Sequence, residues 1–173
     1  MTTIQTPRLI LRPVRPEDIP EFEAFYGEPE VMEIRKYGVL GKNDARRQVE
    51  TMVEHWRAHG FGMWVVEEQD THGFCGECGL RWVEDGSEVE LSYGLYPRYR
   101  GRGMATEAAQ AALGFGTDVL GLELIVAFSR GDNRISHRVL EKLGMTLEWR
   151  RQAGPYGLVR YLFVPRGRTP GPA

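Results

Sequence analysis

Apolar and polar residues alternate from Glu88 to Leu95. Val89, Leu91, Tyr93 and Leu95 fall on one side of the chain and Glu88, Glu90, Ser92 and Gly94 on the other. A period of two over this length predicts a strand with two unlike faces. Pro97 has no N–H to give a ladder and marks the end of that strand. From Ala105 the period changes: Ala108, Ala109, Ala112, Leu113, Gly116 and Val119 make one stripe of an α-helix. The stripe is built mostly of small residues, so this helix can lie close to a sheet or a ligand. Between strand and helix stand Arg98, Arg100 and Arg102, interleaved with Gly101 and Gly103.

The rest of the chain reads in the same terms. Thr6 to Val14 alternates and predicts a strand. The stretch from Arg15 to Pro29 carries acids near its start and Ile19, Phe22, Phe25 and Tyr26 at helical spacing, with Pro20 tolerable in a first turn. Gly27 to Gly41 is irregular. Asn43 or Asp44 is expected to cap a helix through about Trp56, with Val49, Met52, Val53 and Trp56 as its stripe. Gly62–Gln69 and Phe74–Val83 read as strands, separated and followed by turn residues at Asp70–Gly73 and Glu84–Ser87. Leu122 to Arg130 is almost continuously apolar and reads as a strand buried on both faces. Asp132 or Asn133 should cap the next helix, which ends at Gly144. Met145–Gln152 and Tyr156–Val164 read as a closing pair of strands. Pro165 to Ala173 is rich in Pro, Gly and Arg and is expected to be disordered.

The loop before the alanine-rich helix has chemistry of its own. Glycines let the backbone turn sharply and approach a ligand without a Cβ in the way. The first N–H groups of a helix have no partner inside it and carry the positive end of its dipole, so a phosphate there satisfies both. A solvated basic turn capping an ordinary helix is the plainer alternative. Two other phosphate motifs fail: Gly-Lys-Ser/Thr is absent, and the third position of a G-x-G-x-x-G/A fingerprint is Thr106.

The run Arg98-x-x-Gly101-x-Gly103 resembles the R/Q-x-x-G-x-G/A signature of the Gcn5-related N-acetyltransferase (GNAT) superfamily. The longer run from Glu88 to Ala108 is similar to its ribosomal-protein N-terminal acetyltransferase branch, the RimJ/RimL type. The segments from Thr6 to Phe22 and from Asn133 to Met145 resemble that branch's first strand and helix and its fourth helix. The resemblance implies an α+β fold: a mixed, mostly antiparallel sheet of about seven strands with helices on both faces, splayed between the fourth and fifth strands. It implies one acetyltransferase domain over residues 1–164, with 165–173 as a tail.

Composition narrows the function classes. The chain has 173 residues, a net charge of −2, 27% charged and 42% hydrophobic residues. That balance is ordinary for a soluble globular protein and argues against a general nucleic-acid or membrane binder. No apolar stretch follows Met1 and none approaches membrane-spanning length, so a cytoplasmic protein is expected. His55 and His59 stand one helical turn apart but lack a neighbouring acid and a third ligand, so no metal is expected. His72 and His137 are read as solvent-facing. Cys75 and Cys78 lack the helix start of a redox dithiol and the second pair of a zinc site. They are read as buried reduced thiols facing opposite sides of a strand.

What the resemblance implies for chemistry is attack of a primary amine on the thioester carbonyl of acetyl-CoA. The cofactor would be held by the strand edge at Leu95 and Tyr96 and by Arg98, Arg100, Gly101, Arg102, Gly103, Met104, Ala105 and Thr106. The same amides are the expected oxyanion donors. Many superfamily members place a tyrosine at the position of Leu140. The departure shifts the thiolate-binding role to Ser136, one helical turn earlier; its alternative is a cap on helix N–H groups. Asn133 is both a candidate cap and a candidate cofactor contact. Glu90 matches a family acid and is the candidate base, directly or through water, or else a member of a surface ladder with Glu88 and the arginines. Arg35 and Tyr37 are candidates for reading a carboxylate or peptide backbone on the acceptor, or are structural. The acceptor is a protein N-terminus or a small-molecule amine. A non-catalytic acyl-CoA sensor or assembly module of the same fold is the alternative reading. Dimers are common among proteins that resemble this one, so a homodimer stays open.

Overall fold

The computed structural model describes residues 2–35 and 38–165. Tyr37 and the expected tail from residue 166 onward lie outside the described residues. The strands are β1 (Ile4–Gln5), β2 (Leu9–Pro13), β3 (Met63–Glu68), β4 (Phe74–Trp82), β5 (Val89–Leu95), β6 (Ile125–Arg130), β7 (Thr146–Arg151) and β8 (Leu158–Phe163). They form one sheet in the order β1-β2-β3-β4-β5-β6-β8-β7. The strand beyond the expected seven is the two-residue β1, too short to leave a periodic signal. Every neighbouring pair is antiparallel except β5 and β6. That parallel pair needs a crossover, and the helix α4 (Met104–Gly114) supplies it.

Helices α1 (Ile19–Gly27), α2 (Pro29–Met32) and α3 (Lys42–His59) cover one face of the sheet; α4 and α5 (Arg134–Lys142) cover the other. β3 explains why both faces need cover. Met63 and Val65 pack into the layer under α1 and α3, while Trp64 and Val66 pack into the layer under α4. A strand that is apolar on both sides has to be sandwiched. Trp56 and Trp64, both buried, meet edge to face at 5.2 Å near the sheet's rim. At the entry to α1, Arg12 grips the buried Asp18 with two nitrogens at 2.9 and 2.7 Å and Glu67 with a third at 2.7 Å. Among the described residues no helix is long and apolar enough to cross a membrane.

Several local expectations change. Gly41, not Asn43 or Asp44, stands at the N-cap of α3, and no side chain caps that end. Val119 is 66% exposed, because α4 runs into a wider π-helical turn at Phe115–Val119 that shifts the stripe out of phase. Gly116 is still pressed to the sheet, where a Cβ would come within 2.8 Å of Ile125 and 2.9 Å of Leu80. His137 is buried rather than solvent-facing: its Nε2 meets the Arg130 carbonyl at 2.9 Å and its ring lies by Tyr161. Cys75 and Cys78 are free and buried, yet both reach the same core layer. β3 passes from Val66↔Gly76 to Glu67↔Phe74, so Cys75 is the extra residue of a bulge, and the bulge resets the alternation.

Candidate active site

β5 and β6 share one register pair, Glu90↔Val126. Past it the strands part toward their carboxyl ends. The Tyr96 N–H bonds the Cys75 carbonyl at 2.9 Å, so by antiparallel alternation Gly94, Ser92 and Glu90 also bond toward β4. Tyr93 and Leu95 therefore turn their N–H and C=O groups into the gap beside β6, whereas Tyr96, expected on the free edge with Leu95, gives its N–H to β4 instead. The Leu95 carbonyl is taken by Arg100 Nε at 3.0 Å, which leaves the Leu95 N–H facing the gap.

The loop after β5 closes one turn at Pro97–Tyr99 and then bends through Gly101 and Gly103, with φ of 72° and 75°. Both are in the left-handed region, where a Cβ is strained. Gly103 stands at the N-cap of α4 and no side chain caps that end. The first backbone bond into it is Glu107 N–H to the Gly103 carbonyl at 3.0 Å. The N–H groups of Met104, Ala105 and Thr106 thus converge at the mouth of the gap with the helix dipole behind them. Met104 contributes only its backbone, since its side chain is buried.

The loop arginines are braced. Arg98 stacks over Tyr96 at 4.4 Å and Tyr99 at 4.9 Å. Arg100 joins the Leu95 and Glu30 carbonyls, each at 3.0 Å, and its burial lowers its pKa. Arg102 lies 3.4 Å from Glu68, and its carbonyl accepts from Arg8 at 2.7 Å. Glu107, in the first turn of α4, is held by Thr6 Oγ1 at 2.6 Å and by the Arg8 backbone and guanidinium at 2.9 and 2.7 Å. A rigid frame therefore presents the loop's amides.

Across the gap, the Asn133 Oδ1 accepts the Ser136 N–H at 3.1 Å and caps α5. Ser136 is left free of capping duty. Its Oγ lies 2.9 Å from the Tyr93 hydroxyl, which also reaches the Ser136 carbonyl at 3.2 Å. Burial raises the Tyr93 pKa against the opposing Ser136 bond, so this phenol stays protonated. Sequence reading placed Tyr93 on the apolar face of its strand and missed this partnership between residues 43 apart.

Glu90 is not brought to this end. It sits beside the single β5–β6 pair, on the β5 face opposite Tyr93, and pairs with Arg81 at 3.4 Å. At about 3.3 Å per residue it stands roughly 16 Å from Leu95. A buried acid near the open end is Glu77 of β4, register partner of Gly94. It is 2% exposed, accepts from Tyr26 Oη at 2.6 Å and pairs with Arg35 Nη1 at 2.5 Å. Its signal in the sequence was one acid inside the apolar run Phe74–Leu80. Arg130, at the end of β6, stacks on Tyr156 at 3.6 Å, pairs with Asp132 and donates to the Glu33 carbonyl at 2.5 Å. Arg100 and Arg130 so tether the α2 segment from the two sides of the gap.

A parted pair of parallel strands, an uncapped glycine-bearing helix start at its mouth and a hydroxyl pair beside it have the shape and polarity that suit a phosphate-bearing, extended ligand. Those residues fit an acyl-CoA: amides for the phosphates, a free strand edge for an amide-bearing arm. Residues 8–146 match the acetyltransferase (GNAT) domain model, and the chain belongs to that family. It is 30% identical over 147 residues to the uncharacterised protein YkkB of Bacillus subtilis (strain 168), covering 83% of this chain and 85% of that one. A crystal structure of an acetyltransferase from Agrobacterium tumefaciens str. C58 superposes with a TM-score of 0.83 at 26% identity, covering 95% of each chain. The fold is also that of RimL, a ribosomal L7/L12 α-N-protein acetyltransferase in complex with coenzyme A, with a TM-score of 0.81, 16% identity, and 94% and 98% of the two chains covered.

Proposed function

We propose that this protein is an acetyl-CoA-dependent N-acetyltransferase of the RimJ/RimL type that acts by direct attack of a primary amine, either a protein N-terminus or a small molecule. The observation that carries the reading is the open β5 edge running into the uncapped start of α4 with the Ser136–Tyr93 pair across it. The amides from Gly101 to Thr106 hold the phosphates, and the braced arginines of the loop add positive charge around them. The free groups of Tyr93 and Leu95 bond the pantetheine arm as an added strand would. The Leu95 N–H faces the carbonyl oxygen, where negative charge develops as nitrogen attacks carbon. The C–S bond then breaks, and the Ser136 hydroxyl, oriented by Tyr93, donates to the departing sulfur near the positive end of α5. The amine's proton leaves to solvent. An α-amine with a pKa near 8 is partly neutral at pH 7.5 and needs no strong base, so the pairing of Glu90 with Arg81 does not impede the reaction.

Melting with and without acetyl-CoA tests the reading, with CoA, NAD and ATP as controls. Ligand at a hundred times its Kd stabilises by about 2.7 kcal/mol. For a domain of this size that is a rise of about 5 to 10 °C. The rise is expected with acetyl-CoA and CoA and not with NAD; no rise with any CoA species refutes the proposal. A rise without thiol release across an amine and peptide panel selects the sensor alternative.

A further inference from the structure

Arg35, Glu77, Tyr26 and Gly94 form a built constellation that the mechanism above does not use. Glu77 is a buried acid in a central strand, and both its oxygens are occupied, Oε1 by Arg35 and Oε2 by Tyr26. Burying an ion pair is expensive and rarely adds stability over an apolar pair, so a pair kept next to a reaction centre invites a functional reading. Arg35 presses its Nη2 against Gly94: a Cβ there would fall 1.8 Å from Nη2. Only glycine lets a guanidinium rest on this strand. The Arg35 Nη2 is itself buried and has no hydrogen-bond partner among the described residues. A buried donor without an acceptor is costly unless a partner arrives. The Arg35 side chain as a whole is 22% exposed, so it lies at the rim of the covered layer, with Nη2 on its inner side.

Gly94 precedes Leu95, and consecutive Cα atoms stand about 3.8 Å apart. The unpaired N–H is therefore one residue away from the amide that faces the thioester oxygen. Resting on the N-acetyltransferase reading above, we propose that Arg35 reads an oxygen of the acceptor, and that the acceptor is an α-amino carbonyl compound in which that oxygen stands a few bonds from the attacking nitrogen. Glu77 and Tyr26 are positioning residues: Glu77 balances the guanidinium's charge and holds it in place, Tyr26 holds Glu77, and Gly94 is the seat. An ε-amine or a polyamine has no oxygen within that reach and gains nothing from Arg35.

The test compares three acceptors of full-length protein by thiol release: glycinamide (a carbonyl), alanine (a carboxylate) and propargylamine, an amine of similar basicity to glycinamide with no oxygen. Glycinamide or alanine should exceed propargylamine by roughly ten- to a hundredfold in kcat/KM, expressed mainly in KM. Whichever wins identifies the oxygen. Arg35→Met alone would leave Glu77 buried and unpaired, so the informative variant is Arg35→Met with Glu77→Gln. It should collapse the preference while the melting shift with acetyl-CoA persists. Gly94→Ala, whose methyl displaces the guanidinium without removing a charge, should do the same. Turnover with equal kcat/KM for the three acceptors in the native protein, or a preference that survives both variants, overturns this inference alone. No thiol release with any amine overturns the N-acetyltransferase reading and this inference with it.

Discussion

Removing the Ser136 hydroxyl should slow the chemical step and leave the fold and the cofactor affinity almost intact. Ser136→Ala deletes an oxygen 2.9 Å from the Tyr93 hydroxyl, but that phenol keeps the Ser136 carbonyl as an acceptor at 3.2 Å. No buried group is stranded, so the stability cost should stay near 1 kcal/mol or below. The kinetic cost is larger. A hydrogen bond to a charged group contributes about 1.5–3 kcal/mol, and the departing sulfur is charged only as the C–S bond breaks. At about 1.4 kcal/mol per tenfold, kcat should fall by roughly 10- to 150-fold. Tyr93→Phe should cost less, since Ser136 remains near the helix start, and the double variant should be close to Ser136→Ala because the two act as one unit. The assay is thiol release at saturating acetyl-CoA, with CoA affinity from calorimetry and stability from urea unfolding. The reasoning fails if Ser136→Ala loses less than threefold in kcat, or if the two losses simply multiply.

Three further outcomes are expected. Burial works to raise the Glu107 pKa, but bonds from Thr6 and Arg8 prevail and hold it below 4.5. Its contribution is therefore present above about pH 4.5 and lost as pH falls through the folded value. Glu107→Gln should lower urea stability at pH 7 by about 1 kcal/mol, allowing for screening at the exposed Arg8, and by progressively less toward pH 4. A constant difference across that range would contradict the assignment. His55 donates from Nδ1 to the Phe61 carbonyl at 2.8 Å and accepts the Trp82 N–H on Nε2 at 3.3 Å, so it is held neutral; burial, with His59 and Arg81 nearby, lowers its pKa below 6.5. Stability from it is full above about 6.5 and declines as pH drops through the lowered value. An NMR titration midpoint for His55 at or above 6.5 would refute this. Burial pushes the Cys75 thiol up to about 11 and Cys78 higher still. Neither should react with iodoacetamide at pH 7.5 until denaturant is added; rapid labelling of the native protein would show that the bulge at Cys75 opens.

The local elements around the loop from Arg98 to Gly103 were legible in the chain itself. Alternation fixed the two faces of β5, Pro97 ended it, and Gly101 and Gly103 marked the places where the backbone goes left-handed. Asn133 was legible as a cap because capping is a contact between residues three apart. These features depend on neighbours in the chain, and short-range sterics and periodicity suffice to set them. Tertiary structure alone decided the rest. Tyr93 meets Ser136 across 43 residues, and Arg35 meets Glu77 across 42. One extra residue at Cys75 turns it to the face of Cys78, and a wide turn at Phe115 sends Val119 to the surface. Glu90 and Glu77 look alike as acids on adjacent strands; only the register, which closes the sheet at Glu90 and pairs Glu77 with Gly94, separates a half-buried ion pair from a buried acid at the open end of the sheet. Register and parting of strands come from the packing of both faces at once, and no window of sequence contains that information.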